Sequence, residues 1–451
     1  MLNILKNRLI ENYSNKALIA ENIVYSYEEL FNAVILKELL FKKSGIKKGS
    51  IIVLIGDFSF NSISSLIAIF FCEATVIPLT EESNKKLSEQ IAKLNPDFIV
   101  NSLENNTISN LKQKVNYRSQ NLRKIIPTQG GGLIVFTSGS TGTPKGIVHS
   151  LEALCYRYVE KKPPLTSICF LQFDHMGGIN TLLFLLFRGG TAVQLSNRST
   201  HEICCSIEKN KVQLLPTTPS FLTQLLISKS FHKYDLSSLK VVSYGTEVMS
   251  EAILKKMNEI LPNCIFKQTY GLSETGVLQI LSKSSNSLWF KFIDNGLDYK
   301  IVDNILWLKT KSNYLAKFTF DETDVLLEKR FDDWFCTNDL VDVDGNFLKI
   351  RGRSTDIINV GGLKVYPGEV ENCIYELEFV HDVTVSGKKN PLIGQMVVAN
   401  IHLLESIEPK VAEKLIRAHC LVKLEKFKIP SQIKFNNKNF VNDRFKKVRN
   451  L

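Results

Sequence analysis

Short runs of consecutive apolar residues punctuate the first two thirds of the chain, and stretches with helical spacing separate them. The runs include SIIVLIGD (50–57), ATVIPLT (74–80), GLIVFT (132–137), SICFLQF (167–173), TAVQLS (191–196), VQLLPTT (212–218) and LKVVSYG (239–245). Each is the length of a strand buried on both faces, whereas NSISSLIAIFFCEA (61–74) and SEAILKKMNEIL (250–261) repeat apolar residues at helical spacing. Strands alternating with helices predict an α/β fold of mixed and parallel sheets covered on both faces. The opening MLNILKNRLIENYSNKALIA predicts an amphipathic helix. From about 286 to 350 the texture shifts to shorter alternating segments such as DYKIVDNILWLKT, which predicts a strand-rich subdomain. A boundary near KIRGRST (349–355) divides the chain into a large unit, 1–352, and a small α+β unit, 353–451.

Composition narrows this picture. Of 451 residues, 44% are hydrophobic and 22% charged, the balance of a globular protein. No window approaches about eighteen uninterrupted apolar residues, so no membrane span is expected. The start lacks the apolar core and small-residue cleavage site of a signal peptide, which points to the cytoplasm. Nine cysteines, at 72, 155, 169, 204, 205, 264, 336, 373 and 420, form no CxxC pair and read as buried reduced thiols. The formal charge of +11 comes from lysines dispersed among acids, without the basic, aromatic-interleaved stripe of a nucleic-acid binder. A basic surface equally suits polyanions such as ATP or coenzyme A.

Candidate chemistry concentrates after GLIVF, in FTSGSTGTPKG (136–146). Thr137, Ser138, Ser140, Thr141 and Thr143 supply hydroxyls, Gly139 and Gly142 let backbone N–H groups approach an anion, and Lys145 adds a charge. Pro144 before the lysine and Gly146 after it exclude a Walker A loop, which needs GxxxxGK followed by Ser or Thr.

This loop resembles the phosphate loop of the adenylate-forming superfamily of acyl-CoA synthetases, peptide-synthetase adenylation domains and luciferases. Further segments resemble that family in its order. In QTYGLSET (268–275) the resemblance implies that Tyr270 stacks on adenine, Ser273 meets the α-phosphate and Glu274 holds Mg²⁺, with Gly271 between them. WFCTND (334–339) resembles W-x-x-T-G-D, with Asp339 on the ribose hydroxyls and Asn338 in place of glycine. Asn tolerates the positive φ that glycine would serve. Arg353 in KIRGRSTD would be a second ribose contact, and Gly362 would line a pantetheine tunnel. The adenine-binding backbone maps to Gly245 and Thr246. The resemblance also implies that the small unit is a mobile lid.

Two departures stand out. Thr355 occupies the family's hinge position, where Asp or Lys is usual, and a β-branched residue is stiffer there. The tail NDRFKKVR (442–449) lacks the glycine of G-K-x-x-R: spacing to Arg449 selects Lys446 as catalytic lysine, with Lys447 as the other register. In FDHMGGIN (173–180), His175 takes the place of the residue that gates the acyl pocket. Met176 stands where amino-acid-activating members carry Asp, which argues against an α-amino acid. TTPSF (217–221) and SYGTEV (243–248) would border acid and adenine, and their bulky, polar mixture suits a short or functionalised acid.

The implied reaction is ATP-dependent activation of a carboxylic acid to acyl-AMP, with transfer to coenzyme A or the phosphopantetheine arm of a carrier protein. Lys145, Lys446, Glu274 and His175 are the expected catalytic set, with ATP and Mg²⁺ as cofactors. A nucleotide-binding homologue lacking full catalysis is the alternative.

Overall fold

The computed structural model describes residues 1–104, 106–111, 130–138, 144–294, 296–310, 316–320, 325–327, 334–404, 407–436 and 440. The chain forms two compact units. One comprises Met1–Pro216 with Gly271–Val277 and Thr310–Asp333; the other comprises Thr217–Tyr270, Leu278–Lys309 and Trp334–Leu451.

In the first unit an eight-stranded mixed sheet sets Ile51–Ile55 parallel to both Thr75–Leu79 and Phe98–Asn101. All five residues of Ile51–Ile55 are buried, as are those of Thr75–Leu79, because both faces of the sheet are covered. Thr75 continues parallel to Gly132, and Gly132–Ser138 turns back antiparallel on Pro144–Ser150. A second set of strands in this unit runs parallel: Thr166–Ile168 lies between Leu214 and Thr191–Val193, which pairs in turn with Lys16–Ala20. Helices Tyr27–Lys43, Phe60–Phe71 and Met176–Arg188 contribute to the main apolar core. The opening helix stops at Glu11, short of the stretch expected from its pattern. Turn bonds at Asn12 and Asn15 end it, and KALIA becomes a strand because its buried edge is completed by Thr191–Val193.

Two clusters of buried apolar residues in the second unit bear on the site. Phe290, Leu306, Leu308, Val341 and Leu348 belong to one, under a six-stranded sheet of Ile280–Ser282, Phe290–Phe292, Phe347–Arg353, Phe335–Asp344, Ile305–Thr310 and Leu297–Val302. This is the strand-rich region expected between 286 and 350. The other core spans Ile358 to Cys420, between helices Pro367–Tyr375 and Pro409–Lys423 and the sheet built on Val380–Asn390 and Gly394–Leu403. The sequence boundary at 352/353 lies inside this unit, within the strand Phe347–Arg353. Among the described residues, no helix is long and apolar enough to cross a membrane.

Candidate active site

In the first unit, antiparallel register sets Thr137 opposite Lys145 and Ser138 opposite Pro144, so the two ends of the hydroxyl-rich loop are fixed side by side. Gly139, Ser140, Thr141, Gly142 and Thr143 lie outside the described residues. Lys145 and His149 share one strand four residues apart, the spacing that returns side chains to the same face. His149 is 1% exposed, and its Nε2 lies 2.8 Å from Ser273 O. A carbonyl oxygen only accepts, so Nε2 carries the proton. Burial, helped by the Arg157 charge and opposed by the Ser273 carbonyl, lowers the imidazole pKa to about 4. His149 is therefore neutral at neutral pH, and it tethers the turn bearing Ser273 and Glu274 to the strand bearing Lys145.

That turn is tight. Thr275 N bonds Leu272 O at 3.2 Å, and a Cβ added to Gly271 would lie 2.4 Å from Gly276 O, so no larger residue fits at 271. Glu274 is half-buried.

His175 caps the helix Met176–Arg188, its Nδ1 accepting from Gly177 N at 3.1 Å. Met176 is buried in the main core, and Asp174 beside it accepts a hydrogen bond from Ser83 Oγ. An aspartate introduced at 176 would be a carboxylate in an apolar core, which makes that position a poor probe of substrate choice.

The second unit carries a compact polar cluster. Asp339 and Arg353 are cross-strand partners in the Phe335–Asp344 and Phe347–Arg353 pair, with Arg353 Nε 3.4 Å from Asp339 Oδ1. Tyr270 OH donates to Asp339 Oδ2 at 2.6 Å, and Asp339 N donates to Thr337 Oγ1 at 3.0 Å. Burial raises the Asp339 carboxyl above its ordinary range, although Tyr270 and Arg353 pull it down. Burial likewise pushes the Tyr270 phenol well up, with the Asp339 charge adding to it. Tyr270 stacks on Phe290 with ring centroids 5.6 Å apart and meets the edge of Phe292, which fixes its phenol towards Asp339. Asn338 has φ +60°, the left-handed backbone for which Asn is the usual substitute when glycine is absent.

Thr246 has φ +70°, and a Cβ on Gly245 would stand 2.3 Å from Thr269 Oγ1. Glu247 Oε2 accepts from Ser220 N at 3.1 Å and Ser220 Oγ at 2.6 Å. The carboxylate thus ties segment 243–248 to the first turn of helix Pro219–Ser228, whose cap is Thr218. Thr355 sits in a single 3₁₀ turn, its hydroxyl bonded to Asp356 at 3.1 Å. Lys446, Lys447 and Arg449 lie outside the described residues.

Sequence reasoning missed His149 and the linking role of Glu247. A lone histidine in a strand carries no spacing signal, whereas Glu247 was visible within its motif without a role.

One unit thus holds an acidic turn tethered to the strand of Lys145, and the other a buried carboxylate facing an exposed guanidinium. The AMP-binding enzyme model matches residues 8–303, and the AMP-binding enzyme C-terminal domain matches 369–444. The chain belongs to the AMP-binding enzyme family of adenylate-forming, acid–thiol ligases. These enzymes activate a carboxylic acid as its acyl-AMP and pass the acyl group to a thiol.

The 2-succinylbenzoate–CoA ligase of Listeria monocytogenes is 26% identical, over 96% of this chain and 95% of its own length. A CoA ligase of Rhodococcus jostii acting on a methyl-dioxo-octahydroindenyl propanoyl group is 24% identical over 67% of this chain. That alignment spans 61% of the Rhodococcus enzyme. Among solved structures, the anthranilate CoA ligase AuaEII with anthranoyl-AMP superposes with a TM-score of 0.80 at 19% identity, covering 99% of this chain and 95% of that one. The o-succinylbenzoate CoA synthetase of Bacillus subtilis with its acyl-adenylate gives 0.74 at 19% identity, covering 99% and 97%. At these identities the superpositions speak for the fold.

Proposed function

We propose that this chain joins a short or functionalised carboxylic acid to coenzyme A, by way of acyl-AMP, in the cytoplasm. The observation that carries the reading is the Tyr270–Asp339–Arg353 cluster: a buried carboxylate with two lone-pair directions constrained is an acceptor suited to vicinal ribose hydroxyls. The near full-length likeness to a 2-succinylbenzoate–CoA ligase supports a compact, polar acid and coenzyme A as acceptor.

In the first half-reaction an oxygen of the substrate carboxylate forms a bond to the α-phosphorus of ATP, and pyrophosphate leaves. Lys145, with Thr137, Ser138 and the hydroxyls and amides of 139–143, would hold the outgoing phosphates; Ser273 would meet the α-phosphate. Gly245 and Thr246 would present backbone to adenine, beside Tyr270 and Gly271. His175 would stand against the acid, and Lys446 would bridge carboxylate and phosphate. Glu274, a half-buried carboxylate in a turn, fits Mg²⁺, which takes one or two carboxylates and keeps several waters. Bound there, the ion would neutralise phosphate charge. In the second half-reaction the thiol sulfur attacks the acyl carbonyl carbon and AMP leaves. Residues 353–451 would rotate as a lid about Thr355. An open depression of about 730 Å³ beside Asn359, Gly361, Gly362, Lys389 and Leu392 is available for the acceptor's arm.

The test is ATP–pyrophosphate exchange over a panel of aryl, succinylaryl, short aliphatic, long-chain and α-amino acids, repeated with coenzyme A. Exchange with a compact acid and AMP release on adding coenzyme A are expected. Exchange only with α-amino acids, or with no acid, would overturn the reading.

A further inference from the structure

The strands Val380–Asn390 and Gly394–Leu403 pair in strict antiparallel register except at their open end. There Val380 faces Leu403 and Asp382 faces His402, so His381 is an extra residue, a bulge. A bulge takes a side chain out of the alternation of the pleat, and this one brings the His381 imidazole beside that of His402. Their ring centroids lie 4.1 Å apart, with the planes tilted by 51°. Val380–Asn390 is the edge strand of its sheet, and both histidines are half-buried. Among the described residues, no ring nitrogen of either has a hydrogen-bond partner, and none is shut off from water. His149, His175 and His419, by contrast, engage a carbonyl, a backbone N–H and a carboxylate. Neither His381 nor His402 has a part in the reaction assigned above.

Two adjacent imidazoles with unclaimed nitrogens are the donor set of a late first-row divalent metal, which binds the neutral ring. We propose that His381 and His402 form a Zn²⁺-binding site, separate from the Mg²⁺ role given to Glu274, with waters completing the coordination. Zinc–nitrogen bonds of about 2.0–2.1 Å at tetrahedral angles set two ligating rings about 5 Å apart, centroid to centroid. Opening the pair by roughly 1 Å, a small χ rotation, therefore admits the ion. Asp382, on the same rung as His402, is already engaged: its Oδ1 accepts from Tyr375 OH and Val383 N. Among the described residues no third His, Cys, Asp or Glu completes a cluster. Two protein ligands, rather than the three or four of catalytic and structural zinc centres, make this an exchangeable site. Because the two ligands sit on different strands, bound zinc holds the open end of the hairpin together and stabilises the folded chain.

The experiment strips the full-length protein with a chelator and titrates it calorimetrically with zinc chloride at about pH 7.5, Mg²⁺ being present in excess. One zinc ion per chain should bind and raise the melting temperature, a rise that Mg²⁺ alone does not give. His381→Gln and His402→Gln should each weaken binding at least about tenfold, since losing even a group that only orients a metal ligand costs that much. His232→Gln, at an exposed histidine elsewhere, should leave binding unchanged. Cys205 and Cys336 are partly exposed thiols that also attract zinc, so the ion is located on unmutated protein as well. Bound zinc should shield His381 and His402, but not His232, from diethylpyrocarbonate, as mapped by mass spectrometry. That mapping stands even if a variant folds poorly. Zinc binding that leaves both His381 and His402 reactive would overturn the proposal. So would an absence of binding below millimolar zinc.

Discussion

Two regions of this protein hold a polar side chain out of water, and they do so by opposite means. In the first unit His149 is kept neutral, and one ring N–H satisfies one carbonyl. In the second, Asp339 sits buried beside a guanidinium and a phenol. The neutral arrangement has a small desolvation cost and serves as a structural tether. The charged one is poorly solvated, as the raised Asp339 carboxyl shows, and its partners only partly offset that burial. Strain of that kind is tolerated where a ligand supplies the missing hydrogen bonds, so on the proposed function the first region serves position and the second recognition.

The strongest check concerns what the tether positions. Lys145→Ala and Glu274→Ala should each lower pyrophosphate exchange by roughly 10²–10³-fold, with melting temperature little changed. Near-full exchange in both variants would show that the turn and strand are not the phosphate site.

The tether itself has a pH signature. Above pH 6.5 both folded and unfolded His149 are neutral, and the residue adds no pH dependence. Between 6.5 and about 4 the unfolded chain takes a proton that the folded one refuses, so stability should fall as pH drops, by about 3 kcal/mol in all. Asp339 works in the other direction: its raised carboxyl gains a proton in the folded state first, so acidification towards the ordinary carboxylate range relieves it. Denaturant titrations at several pH values, on wild type and His149→Gln, should differ in slope across 6.5 to 4. Parallel curves would remove His149 from the comparison.

Asp339→Asn then separates recognition from stability. Folding should be unchanged or slightly improved, while the KM for ATP rises about ten- to a hundredfold, the loss of a charged hydrogen bond worth ~1.5–3 kcal/mol. A large loss of stability with ATP affinity intact would make the cluster structural.

The smallest expected effect is at its neighbour. Asn338→Gly should be nearly silent, and Asn338→Val should cost about 1–2 kcal/mol, because φ +60° crowds a β-branched residue. Equal unfolding energies for the two would mean that the left-handed backbone there is not maintained.

Much of this was legible in one dimension because it depends on local chemistry. The runs at 50–57 and 74–80 became strands since an unbroken apolar run fits a sheet covered on both faces. WFCTND and KIRGRST announced Asp339 and Arg353 as residues, and the positive φ at Asn338 follows from which side chains tolerate it. KALIA was read as helix, yet it is a strand held between a local antiparallel partner, Ile23–Ser26, and a distant parallel one, Thr191–Val193, which five residues do not reveal.

Other features were decided by contacts between residues far apart in the chain. Tyr270 and Asp339 lie 69 residues apart, and His149 and Ser273 lie 124 apart. No spacing rule connects such positions. Whether a histidine in a strand is a surface residue or a neutral buried tether depends on what closes over it. Whether a carboxylate is solvated or strained depends likewise on the ring and guanidinium that the sheet brings to it. The sequence by itself determined most of the elements and the family. Tertiary structure alone decided protonation and register, because burial and distance belong to the folded chain and not to any residue in it.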